Sequence, residues 1–426
     1  GRNNAATYNL DGGALNLGAN GITANANKTL NLGGGTLGAI DNWSTTQPLP
    51  LTGTVGDASF APSAGYTMIL GGGLSGTAGF SVDGPGTVVV GGEGTYAGTT
   101  TVNDGLLRID GATATGASAV TVNGGGSIGA GGALTGTGSV STLDLQDGSG
   151  STFRLNFASP DMLTVATADG LSLTGSHTIT ALPAGQLVPG DEFMLIDYEG
   201  SIGGAGFAGF SIAALPNPHY AVSLVDNTED TSIDLMVDSV DSITWTGAVD
   251  GAWDVNSTGN WETDSDMQSS NFYDFDVVSF VDGTGNTSLT LSGPINPAEV
   301  VFLNSADTFT LAGDGISGGG ELAVSGGGTV ILTNDNTYTG QTLVTSGTLQ
   351  IGDGTSGSLS LSTTILNDDT VVINLPDGAT FPNTIDGLGT TQVAGAGDLE
   401  FSGAVAGGGV LRVETAATTN FTGTGH

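Results

Sequence analysis

Residues 86–110 read GTVVVGGEGTYAGTTTVNDGLLRID, and residues 328–352 read GTVILTNDNTYTGQTLVTSGTLQIG. The two stretches align without a gap at an offset of 242, with Thr95/Thr337, Tyr96/Tyr338, Gly98/Gly340, Val102/Val344, Gly105/Gly347, Leu107/Leu349 and Ile109/Ile351 identical. An imperfect third copy begins at Gly409 and reaches Phe421-Thr422-Gly423. Each unit is strand, loop, aromatic-x-Gly, strand, tight turn, strand. A unit of this kind cannot bury its apolar face alone and has to stack on neighbours. Val102, Leu107 and Ile109 are therefore expected to point inward and to stack on the next coil. Tyr96 and Tyr338 should occupy the same place in their coils, with Gly98 and Gly340 at corners that leave no room for a Cβ. Val at Gly340 is expected to cost more stability than Val at Thr342.

The same rhythm extends outward from these copies. Tyr8–Leu10, Ala14–Leu17, Val330–Leu332 and Val371–Leu375 are short apolar runs, and signals such as Asp11-Gly12, Asp110-Gly111, Asp353-Gly354 and Asp377-Gly378 end such runs. Thr, Val, Ile and Leu followed by Gly is a strand and a turn. Helix-surface residues are scarce, and glycine reaches 75 of 426 residues, against roughly 7% in average usage. Propellers would need a regular blade period, which is absent, and sandwiches fewer Gly corners. The reading is an all-β chain: a right-handed parallel β-helix (β-solenoid) with a smaller closing β segment. At about 22 residues per coil it would make about 19 coils.

These phrases resemble the autotransporter-associated β-strand repeat of bacterial surface proteins. Ile243-Thr244-Trp245-Thr246-Gly247, followed by Trp253 and Gly259-Asn260-Trp261, looks like the opening of such a module, and Tyr8–Gly13 resembles another recurring phrase. Phe193–Val237 looks like a closing piece. The resemblance implies a passenger-like fold, secreted or on the cell surface. The expected organisation is a Gly-rich solenoid over 1–170, a closing segment over 171–240, and a second module over 241–426. On this reading Gly1 and His426 both lie inside modules.

Charge removes several partners. Five Lys and Arg stand against 42 Asp and Glu, for a net charge of −37. Phosphates need cations, so nucleic acid and anionic membrane are excluded as partners, and so are acidic polysaccharides. The same shortage argues against a uronate lyase. The absence of Cys removes disulfides and thiolate metal sites.

Among candidate chemical groups, His177 lies in an alternating run and His219 follows the Pro216-Asn217-Pro218 turn; both read as structural. Gly125-Gly-Ser127-Ile-Gly129 matches a nucleophile elbow, which has meaning only between a strand and a helix, and in so Gly-rich a chain it reads as chance. Asp264/Asp266 and Asp368/Asp369 are available carboxylate pairs for a glycosidase; neighbouring carboxylates on turns are ordinary. Asp264, Asp266, Asp274 and Asp276 crowd near the Trp residues and could hold calcium, the one cofactor the sequence suggests; the competing reading is a solvated acidic face. Trp245, Trp253 and Trp261 could stack on sugars, but their spacing of eight fits strands returning to one small core.

The functional expectation is a non-enzymatic extracellular structural protein that forms a fibre or surface layer by pairing its ends with copies of itself. Tyr8, Leu10, Leu15, Leu17, Leu411, Val413 and Phe421 are the assembly candidates. The alternative is an adhesin that meets glycans or cell surfaces through solenoid loops, and a carbohydrate-active enzyme ranks third.

Overall fold

The computed structural model describes residues 5–23, 27–92, 94–111, 118–131, 136–156, 158–360, 364–395, 397–414 and 418–422. Parallel coils stack into a β-solenoid of about 18 turns, and the one helical element among the described residues is a 3-10 turn at Phe207–Gly209. The chain divides into two compact units, Gly1–Ala184 with Val188–Ser239, and Val240–His426 with Gly185–Leu187.

In the first unit, three long parallel sheets share the coils. One begins at Ala6–Leu10, one runs from Ala14–Leu17 to Gly203–Gly204, and one from Trp43–Thr45 to Phe210–Ile212. Alternation of side chains along each strand sends every second residue inward, and parallel register puts like on like. Met68, Val88, Leu107 and Ile128 form one such row, and all four are fully buried. Each contributes roughly 1.5–3 kcal/mol by leaving water. Val102 and Ile109 are likewise buried, as expected. Coil length is not constant. Val88 pairs with Leu107, 19 residues on, while Ser149 pairs with His177, 28 residues on. Parallel pairing continues through Leu171–Leu173 and His177–Pro183, and the direction changes where Glu192–Tyr198 pairs antiparallel with Ser232–Val240.

The second unit opens on an antiparallel meander, Ile243–Trp245 with Trp261–Thr263 and Trp261–Thr263 with Ser269–Ser270. Ile243–Trp245 then pairs parallel with Val277–Phe280, and solenoid coils follow. Trp245, Trp253 and Trp261 are buried. Their rings meet edge-on at 5.0 and 5.3 Å and continue into Phe280 and Phe302, stacked at 4.6 Å. These indoles are core, closing the apolar end of the stack, and are not available to a sugar.

Candidate functional site

The repeated corner is the most defined local structure. Tyr96 and Tyr338 are both buried. Tyr96 Oη lies 2.6 Å from Thr100 Oγ1, and Tyr338 Oη 2.7 Å from Thr342 Oγ1. Gly98 and Gly340 follow, each pressed against the coil before: a Cβ on Gly340 would stand 2.0 Å from the Gly320 carbonyl oxygen, and one on Gly98 2.0 Å from Gly79 N. Gly347 then turns with φ of +99°, and its counterpart Gly105 with +67°, a region that favours glycine. Thr342 is itself fully buried, so it is a working part of the corner and not a tolerant neighbour.

The carboxylates have a structural task that their sequence positions do not display. Asp282 accepts from Ser305 Oγ at 2.5 Å and from the backbone N–H groups of Ser305, Ala306 and Asp307, one coil on. Asp147 takes Ser176 N and Oγ in the same way, Asp169 takes Ser201, and Asp241 takes Ser265. These bonds hold Asp282 far below the usual carboxylate range and also lower Asp147 and Asp169. A second device is a polar ladder. Asn123 donates to Asn103 at 2.6 Å and Asn103 to Asp83 at 2.7 Å, with Ser59 and Ser81 donating to the same Asp83 carboxylate. Burial pushes Asp83 up, but the bonds from Asn103, Ser59 and Ser81 bring it below its ordinary value.

Of the four calcium candidates, Asp264 accepts from Ser242 Oγ and Thr244 Oγ1, and Asp266 from Thr263 Oγ1. Asp276 is buried and accepts from Tyr273 N. Asp274 is pushed up by burial and by the Asp276 charge. Among the described residues no three acidic or His side chains are gathered closely enough to share a metal ion. Asp368 and Asp369 accept from Leu388 N and Gly347 N, again in turns. A pocket of about 240 Å³ lies in the last coils, where Gly387, Gly389, Gly407 and Gly409 leave space beside Asn367; Asp386 is the single carboxylate lining it. A paired-carboxylate mechanism has no footing there. Ser127 sits mid-strand within Gly126–Ala130, paired on both sides, so the elbow geometry is absent.

His177 is enclosed between two hydroxyls, with Ser149 Oγ 2.8 Å from Nδ1 and Ser151 Oγ 3.1 Å from Nε2. All three residues are buried in the stack, and Phe210 meets the imidazole edge-on at 5.5 Å. Burial lowers its pKa to about 4. The resemblance to a Ser–His pair is superficial, since neither hydroxyl reaches solvent. His219 is also buried, with its N–H donated to Asn217 Oδ1. Another buried group escaped the sequence reading: Asp161 is bridged by Arg108 and, at 3.0 Å, by Arg154. Arg154 meets Asp161 across a bend of seven residues, whereas Arg108 lies 53 residues before it and is brought there only by coil stacking.

The assembly candidates divide by exposure. Ala6–Leu10 and Ala14–Leu17 are edge strands, as are Val410–Val413 and Thr418–Phe421. Tyr8, Leu15, Leu411 and Val413 are exposed, Leu10 and Leu17 half-buried. Phe421 pairs with Phe401 through its backbone; its side chain lies outside the described residues, as does Gly423 of the third repeat copy.

A family model described as the passenger-associated-transport-repeat matches residues 81–109 and 322–351. Both matches cover the Tyr–Thr corner and the strands flanking it, at the 242-residue offset. The chain carries two passenger-type repeats. It is 25% identical over 423 residues to the Adhesin BmaC autotransporter of Brucella suis biovar 1 (strain 1330), covering 81% of this chain and 12% of that protein. The passenger-like chain thus spans about an eighth of the length of this relative. No solved structure matches it.

Proposed function

We propose that this chain is a non-catalytic, extracellular stretch of an adhesive passenger that presents its solenoid faces and loops to a surface. The observation that carries this reading is the corner shared by both units and matched by the passenger repeat, together with the similarity to a protein named as an adhesin. The internal carboxylates support it: Asp147, Asp169, Asp241 and Asp282 staple turns, and Asp83 and Asp161 join neighbouring coils. Beads coated with the purified chain should adhere to epithelial cells or glycan-coated surfaces above beads coated with an unrelated acidic protein. Equal adhesion of the two would overturn the adhesive reading.

A second reading is favoured by the exposed apolar side chains on the edge strands. Unpaired backbone beside Tyr8, Leu15, Leu411 and Val413 is a template for another strand. Pairing of one copy's Val410–Val413 edge with another's Ala14–Leu17 edge is heterologous and would propagate as a fibre. Electron microscopy of the concentrated protein should then show filaments that Leu411→Lys abolishes; monomers at all concentrations would remove the fibre from consideration.

A further inference from the structure

The outward faces of the two equivalent sheets differ in one row. In the first unit, Ser59, Ser81, Thr101, Thr121, Asp144 and Ser172 lie in register, coil upon coil. All six are polar. Adding the repeat offset takes Ser59, Ser81 and Thr101 to Val301, Ala323 and Leu343. In the second unit these residues are in register with each other and with Leu366. Val300, Phe302, Leu322 and Val324 alternate with them and fill the core, so the row itself faces outward. Val301 and Leu343 are half-buried, the small Ala323 between them is 7% exposed, and Leu366 and the adjoining Leu303 are 36% and 47% exposed. The row is bounded by Ser279 at one end and Asp386 at the other.

The polar row of the first unit shows that the coil stack does not require aliphatic residues on this face. Beside the row runs a second one. Glu299 and Glu321 are in register, two residues along the strands from Val301 and Ala323. Burial and the Glu299 charge both push Glu321 up, and among the described residues the ion pairs formed by Arg108 and Arg154 go to Asp161 and not to this row. With coils about 4.8 Å apart, the aliphatic row repeats at close to the 5.4 Å pitch of an α-helix.

We propose that the Val301–Ala323–Leu343–Leu366 row docks an amphipathic helix of a partner protein, with apolar residues on one face and Lys or Arg along one flank opposite Glu299 and Glu321. A second copy is a poor occupant, because it would bring a chain of net charge −37 and its own carboxylates against the same rows. This inference goes beyond the adhesive reading and does not depend on it.

The test uses the full chain and three 18-residue helical peptides: one with Leu at i, i+3, i+4 and i+7 positions and Lys elsewhere, one with each Leu replaced by Ser, and one with each Lys replaced by Glu. By fluorescence anisotropy the Leu/Lys peptide should bind at least tenfold tighter than either control. The Val301→Thr/Leu343→Thr/Leu366→Thr variant should lose about tenfold, and Glu299→Gln/Glu321→Gln should flatten the salt dependence. Should the triple variant melt early, Leu343→Thr alone and the three-peptide comparison on the unmodified chain decide. Equal binding of the Leu/Lys and Ser/Lys peptides, or unchanged affinity in a folded threonine variant, would reduce the effect to diffuse attraction and overturn the proposal. A dimer in sedimentation that the threonine variant abolishes would also overturn it, by making a second copy the occupant.

Discussion

Tyr338 Oη lies 2.7 Å from Thr342 Oγ1 in the interior of its coil, and 242 residues earlier Tyr96 Oη stands in the same relation to Thr100 Oγ1 at 2.6 Å. Removing one hydroxyl of such a pair leaves the other short of a hydrogen bond in a desolvated place; in the first unit Ser118 Oγ also lies 3.2 Å from Thr100 Oγ1. The pair fixes where the chain turns, and the glycine between the two residues lets that turn lie against the preceding coil.

Tyr338→Phe should cost about 1 kcal/mol and Thr342→Val about 1–3 kcal/mol, the larger figure reflecting a tyrosine hydroxyl left in an apolar place. The double variant should cost less than the sum. Gly340→Val should exceed all three, since its Cβ meets backbone and not a side chain that can move. Urea denaturation of the four variants checks the order. A Gly340→Val protein as stable as Thr342→Val would remove the close-approach argument.

The parts of this design that repeat were legible before any coordinates. Tyr96, Gly98 and Gly105 recur as Tyr338, Gly340 and Gly347, and local rules for strands and turns suffice to read them. The staples were not legible, because Asp147 reaches Ser176 across 29 residues, Asp169 reaches Ser201 across 32 and Asp282 reaches Ser305 across 23. Loop length sets each spacing, so no period exposes the pairs, and the acidic residues read as a solvated face. The contrast between Thr101 and Leu343 is visible in the alignment, but its meaning depends on strand register, which decides which residues face out.

Acid should loosen the coils through these staples. Asp282, Asp147 and Asp169 have folded-state pKa values below their unfolded ones. Their contribution is therefore present above the unfolded value, about 3.9, and is lost as pH falls through the folded values. Asp282→Asn should lower the Tm at pH 7, and the gap from the unaltered protein should narrow below pH 4. A gap that stays constant from pH 7 to pH 2 would show that the carboxylate charge is irrelevant to the turn at Ser305–Asp307.

His177 acts in a higher window. Its folded pKa is about 4 against an ordinary value of 6.5, so the unfolded chain binds the extra proton first as pH falls. Stability is then full above pH 6.5 and declines between 6.5 and 4, by about 3 kcal/mol in all. His177→Gln keeps a side chain able to bond Ser149 and Ser151 but cannot titrate. It should flatten the dependence between pH 6.5 and 4 while leaving the carboxylate-driven loss below pH 4 in place. Identical pH profiles for the two proteins would mean that the imidazole is not excluded from solvent.

The most costly single polar substitution is expected at Asp161. Its side chain is fully buried, and two of the five basic residues of the chain converge on it. Arg108, itself only 11% exposed, also donates Nε to the Gly131 carbonyl at 2.8 Å and Nη2 to that of Ala130. Asp161 further accepts the Arg154 backbone N–H at 3.0 Å, so it holds a bend as well as two charges. Asp161→Asn keeps the shape and some of the hydrogen bonds but leaves the Arg108 guanidinium buried without a counter-charge. Breaking such a pair from one side costs about 3–5 kcal/mol, far more than the net worth of the pair itself. Replacing Arg154 instead should cost little, because its side chain is 42% exposed and exposed ion pairs contribute about 0–1 kcal/mol. Arg108→Met/Asp161→Leu, which removes the buried charges together, should recover part of the loss. Equal destabilisation by Asp161→Asn and Arg154→Ala in urea melts would refute the assignment of Arg108 as the buried partner.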